Sequence, residues 1–257
     1  MIRVSRRALA ATVLGALLSS HAFAADTKAP PPVLKALEAQ GLTQITEFDA
    51  GKDMRGFAGL VDDHPMAIYV TADGNAIVGT RVDANGRRLD EQKVDDLTLK
   101  PMTTKVMKQL SEAKWVEEGK KDAPRVVYVF TDPNCPYCHA FWDAARPWVD
   151  GGKVRIRYLV VGVIREDSPN KAAAILTDKN PTEALIRNEK AFSKGGIAAL
   201  KTIPADAQKT LDDNQMMMVS LGIQGTPGIV LQGPDGKLVK FGGMPRTGGL
   251  ESILGPK

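Results

Sequence analysis

Residues 125–142 read RVVYVFTDPNCPYCHAFW, and no other stretch limits the possible folds of this chain as much. The run from Arg125 to Phe130 is β-branched and aromatic with almost no interruption, the pattern of a strand buried on both faces. Cys135 and Cys138 follow closely, the only cysteines in the chain, with His139 directly behind them. Pro136 suits the first turn of a helix, where its missing N–H has no intrahelical partner to lose. A buried strand, a short loop and a Cys-x-x-Cys pair opening a helix call for sheet and helix packed together.

The pair also carries chemistry. A neutral thiol is a weak nucleophile, and the thiolate is the attacking form. Unpaired amides and the positive end of the dipole favour an anion at a helix N-terminus. With Cys135 at the cap, its thiol becomes more acidic. Cys138, one turn on, lies on the same face and can resolve a mixed disulfide. The predicted catalytic residues are therefore Cys135 and Cys138, with Pro136, Tyr137 and His139 modulating the motif.

Three rival readings fit less well. Cys-x-x-Cys-His is also the haem attachment pattern, but that reading wants a mainly helical domain rather than a buried strand leading into the motif. A structural zinc site wants four ligands, and beyond the cysteines only His64 and His139 remain after the leader. An inert disulfide across so short a loop would remove little unfolded-chain entropy. No metal and no cofactor is expected. His139 itself has two readings: an imidazolium that further stabilises the Cys135 thiolate, or a solvated surface residue.

The remaining chain divides around this motif. Arg3, Arg6 and Arg7, an apolar run over 8–18 and Ala22-Phe23-Ala24 form an export signal, with cleavage predicted after Ala24. The apolar run is shorter than the roughly 20 residues that a spanning helix needs. The predicted location is the periplasm, where disulfides persist. The signal holds three of the 34 basic residues and none of the 30 acidic ones, which leaves 31 against 30 in the mature chain. That balance gives no reason to expect a nucleic-acid partner.

Residues 25–95 read as an N-terminal unit: a helix over 31–40, then strands over 43–49, 54–61, 66–71 and 76–82. Asp73-Gly74 and Asn85-Gly86 supply hairpin signals. So small a meander leaves strand edges exposed, which points to dimerisation through this unit. A linker helix occupies 96–118, its pattern starting at Pro101 and stopping at Gly119. Residues 119–257 form the second domain: the strand at 125, the motif helix with a kink at Pro147, a strand over 153–164, and helices over 168–178, 182–194 and 206–221. Ser168 is the expected cap of the first of these. A hairpin around 233–236 and a short helix over 250–254 close the chain. Thr226-Pro227, just before the hairpin, would suit a special turn whose backbone pairs with an extended substrate. An ordinary loop proline reads equally well there.

Residues 119–164 resemble the catalytic core of the DsbC/DsbG family of thiol:disulfide interchange proteins, and the likeness extends from about residue 32 to the C-terminus. The resemblance implies an α+β chain: a cystatin-like N-terminal dimerisation domain, a linker helix, and a thioredoxin-fold domain with a helical insertion. It further implies a homodimer, attack by Cys135, resolution by Cys138, and a cis-proline loop at Thr226 and Pro227 beside them. The implied substrates are cysteine-containing exported proteins, with a DsbD-like inner-membrane protein as electron donor. The expected activity is disulfide isomerisation, reduction of sulfenylated cysteines, or both, with chaperone-like holding of substrates. One departure stands out: His139 occupies a position where relatives carry Lys.

Overall fold

The computed structural model describes residues 29–246 and 248–257, so the expected export signal over residues 1–24 lies outside the described residues. The N-terminal unit starts with α1 (Pro32–Glu38), followed by β1 (Thr43–Asp49), β2 (Met54–Val61), β3 (His64–Thr71) and β4 (Ala76–Val78). The strands form an antiparallel meander in that order. Asp62 and Asp63, both at positive φ, make the two-residue turn between β2 and β3, where Val61 pairs with His64. Alternation sends successive side chains to opposite faces. Phe57 and Ile68 pack with Leu34 of α1, whereas Ala58 and Tyr69 pack with Phe48 and Val94 on the other face.

Val94 belongs to α2 (Glu91–Glu112), which differs from the expected linker helix at both ends. It starts ten residues before Pro101 and ends seven before Gly119. Pro101 lies inside the helix rather than opening it. The reason is tertiary: Val94 and Leu97 pack on the first sheet, while Val106 and Leu110 pack on the second, so both halves are held. After α2 the chain does not continue as helix but forms β5 (Val116–Glu118), a short edge strand.

The second sheet has the order β5-β7-β6-β8-β9, with β6 (Arg125–Thr131), β7 (Val154–Val160), β8 (Gly228–Gln232) and β9 (Leu238–Gly242). Only β6 and β7 run parallel; the other pairs are antiparallel. In β6, Val127 and Val129 face a core with α3 (Pro136–Ala144) and α4 (Arg146–Asp150), while Tyr128 and Phe130 face α2 and α7 (Ala205–Ser220). Burial on both sides explains the unbroken apolar run. The helix break falls at Ala145, with Pro147 inside the first turn of α4, close to the expected kink. The insert consists of α5 (Ser168–Leu176), α6 (Pro181–Lys190), a 3-10 turn (Phe192–Lys194) and α7, and α8 (Gly249–Leu254) closes the chain. Ser168 is the first helical residue of α5 rather than its cap, a position held by Asp167. Among the described residues no helix is long and apolar enough to cross a membrane.

Candidate active site

Cys135 is the N-cap of α3, with extended backbone angles, and Pro136 opens the helix. The Cys138 amide donates to the Cys135 sulfur at 3.3 Å. Both cysteines are free thiols, 1% and 3% exposed. The Thr226–Pro227 bond is cis, and the Thr226 carbonyl lies 3.3 Å from the Cys135 sulfur, whose thiol donates to it when protonated. Cys135, Cys138 and Thr226 thus meet at one point, although Thr226 is 91 residues from Cys135 in sequence. Tyr137 is 63% exposed beside them.

These contacts make the two thiols unlike each other. Cys135 is lowered to about 6, chiefly by a hydrogen bond from the Cys138 side chain. Burial acts against this, while the Thr226 side chain and the amides of Cys138 and Tyr137 assist it. Cys138 is pushed up, first by burial and then by the neighbouring Cys135 sulfur. The Thr226 hydroxyl forms no well-aligned hydrogen bond, yet it lies close enough to both sulfurs to favour their anions. One thiol ionises near neutrality and the other stays protonated, the asymmetry that attack followed by resolution requires.

His139 is not a solvated surface residue. Its Nδ1 lies 2.9 Å from Glu189 Oε2, and its ring stacks on Phe192 with centroids 4.5 Å apart. A ring held between a carboxylate and a phenyl group is not presented to a porphyrin, which disposes of the haem reading. Imidazole is also absent from the principal causes of Cys135 acidity. Trp142 is buried, its Nε1 donating to Glu118 at 3.0 Å and its face covered by Arg146, which also pairs with Glu118. Among the described residues no group of three or more His, Cys, Asp or Glu is placed to hold a metal ion.

Sequence reasoning missed the polar residues packed behind the motif. Asp132, Asn134, Ser168, Lys171, Asn188 and Glu189 are all buried and hydrogen-bonded to one another or to the active-site loop. The only local signal was Asp-Pro-Asn ahead of Cys135, which reads as turn chemistry whatever its partners are.

Comparison with known proteins identifies the family. A family model described as a thioredoxin-like domain matches residues 112–254. The chain is 38% identical over 245 residues to the thiol:disulfide interchange protein DsbG of Pseudomonas aeruginosa, covering 95% of this chain and 96% of that protein. It is 39% identical over 246 residues to DsbG of Escherichia coli K12, covering 95% and 98%. The DsbC protein of Salmonella typhimurium is more distant, at 28% over 237 residues. Likeness of this degree along nearly the whole chain places it in the DsbG family of thiol:disulfide interchange proteins.

Proposed function

We propose that this enzyme works in the periplasm as a dimer, with Cys135 as the attacking and Cys138 as the resolving thiol, on cysteines of other exported proteins. The observation that carries the reading is the acidic Cys135 at a helix N-cap, one turn from a protonated Cys138. The Cys135 thiolate attacks a substrate sulfur, and a mixed disulfide forms as the substrate's leaving group departs. On a non-native disulfide the leaving group is a substrate thiolate. On a sulfenic acid it is hydroxide, which leaves as water. Cys138 then loses its proton and attacks the Cys135 sulfur, releasing the reduced substrate and leaving the Cys135–Cys138 disulfide. An inner-membrane donor of the DsbD type returns the two electrons.

The exposed apolar residues Ile77, Val78 and Val82 on and after β4, the end strand of the first sheet, support dimerisation through the N-terminal unit. Resemblance to DsbG favours reduction of sulfenylated single cysteines over isomerisation. The deciding experiment offers the reduced protein two substrates, a sulfenylated single-cysteine protein and a protein with scrambled disulfides. Faster turnover of the first is expected, and Cys135→Ser should abolish both. A chaperone without catalysis would instead keep every cellular effect in Cys135→Ser.

A further inference from the structure

The loop of residues 132–135 joins β6 to α3, and each of its residues takes part in hydrogen bonds. The Asp132 carboxylate is 1% exposed. Its Oδ1 accepts from the Asn134 amide and the Ser168 hydroxyl, both at 2.8 Å. Its Oδ2 accepts from the amides of Val163 at 2.6 Å and Ile164 at 3.0 Å. The Pro133 carbonyl accepts from the Asn188 side chain at 3.2 Å. Asn134 donates to Asp167 and Ser168 and accepts from Lys171 Nζ at 2.8 Å. Apart from the bond to Asn134, the side chain of Asp132 reaches only the segment that leaves β7 and opens α5.

The backbone of the same residue faces the other way. The Asp132 carbonyl accepts from the Cys135 amide at 3.0 Å, and its own amide is directed at the Cys138 sulfur. One residue therefore holds the Cys135 amide through its main chain, lies beside Cys138, and reaches the insert through its side chain. A buried carboxylate is costly unless its oxygens are saturated, and here four donors saturate them.

We propose that Asp132 is a positioning residue for the dithiol: its carboxylate fastens the Cys135 turn to the head of the helical insert and keeps the Cys135 sulfur in register with the first amides of α3. This rests on Cys135 being the attacking thiol. Hydrogen bonds at the sulfur, rather than the charge of Asp132, are the principal causes of Cys135 acidity. Loosening the turn therefore weakens the thiolate. Removing a nearby negative charge by itself acts in the opposite direction, so the sign of the effect separates the two.

The test is the pH dependence of iodoacetamide alkylation of the reduced, full-length protein. At pH 6, Asp132→Ala is expected to react about fivefold more slowly than wild type, with the rates converging near pH 10. Asp132→Asn keeps an oxygen for Val163 and Ile164 but turns an amide donor toward the Asn134 amide, so a smaller slowing of about twofold is expected. Ser168→Ala keeps the charge and should also slow the reaction about twofold, which preserves the test if Asp132→Ala fails to fold. An unchanged or lower titration midpoint in variants that melt earlier would leave Asp132 a purely structural residue and overturn the proposal. If instead Cys135→Ser alkylates as fast as wild type at pH 6, the assignment of Cys135 as the acidic thiol fails, whatever the Asp132 variants do.

Discussion

The Cys135 sulfur lies where α3 leaves its first amides without intrahelical partners, so ionisation is favoured before any neighbouring charge is considered. This preference links acidity to stability. In the folded reduced protein the thiol is lowered from 9.0 to about 6, whereas the unfolded chain keeps the ordinary value. Between these limits the unfolded state binds more protons, so stability rises with pH. The contribution is fully present above about pH 9 and is lost as pH falls through about 6. Its full size is on the order of a few kcal/mol, and the disulfide form, with no thiol to ionise, lacks it. The melting temperature of the reduced form should therefore gain on that of the oxidised form between pH 5.5 and pH 8. Parallel profiles for the two forms would show that Cys135 titrates as an ordinary thiol.

His139 acts at the same scale but through packing. Glu189 is nearly buried, and burial raises its carboxyl even though His139 and Asn188 oppose the shift. Removing the imidazole leaves that carboxylate with fewer donors and strips the stack from Phe192. His139→Ala should cost about 1–3 kcal/mol in urea unfolding at pH 7. His139→Lys, which offers Glu189 an N–H donor but not the stack, should recover part of the loss. A destabilisation below 0.5 kcal/mol in His139→Ala would mean that the contact with α6 contributes little.

Among the elements, those defined by local pattern were legible and those imposed by distant partners were not. The limits of β1 and β2 follow directly from strand-like runs and flanking turns. β5 did not stand out, because Val116-Glu117-Glu118 continues the helical composition before it. Its strand state comes from pairing with β7, Val116 opposite Tyr158. The pairing of Cys135 and Cys138 at a helix cap was readable because strand and cap each leave a local trace. Thr226 beside them followed only from the family resemblance, its proline reading equally well as an ordinary loop residue. The Asp132 cluster was not readable, since its partners lie 31 to 36 residues away in sequence. Pro101 misled for a physical reason: proline is favoured in a first helical turn, yet here packing at both ends of α2 carries the helix through it. An exposed proline inside a helix is unfavourable by about 3 kcal/mol relative to alanine, offset by up to about 1 kcal/mol of lost unfolded-chain freedom. Pro101→Ala should accordingly raise stability by about 2 kcal/mol, measured by guanidinium unfolding. No gain would indicate that the helix bends at Pro101 to satisfy both cores at once.

Across the whole molecule, α2 is the covalent and packed bridge, but the β8–β9 hairpin also reaches back to the N-terminal unit. Lys237 Nζ lies 2.6 Å from Asp95 near the start of α2, and Lys240 Nζ lies 3.1 Å from Asp63 in the β2–β3 turn. The partners are 142 and 177 residues apart in sequence, so these pairs constrain domain orientation and little else. Each is partly exposed and screened by solvent, so it adds little to folding stability. Orientation is a softer quantity, set by α2 packing alone once the pairs are gone. Lys237→Glu combined with Lys240→Glu should thus leave the melting temperature and the Cys135 alkylation rate nearly unchanged while increasing the radius of gyration in small-angle scattering. Salt gives an independent check, because screening shortens the reach of exposed charges from about 10 Å at 0.1 M to about 3 Å at 1 M. Wild-type scattering in 1 M salt should approach that of the double variant at low salt. If both profiles match wild type at low salt, the packing of Val94, Val106 and Leu110 holds the domains without help from the lysines.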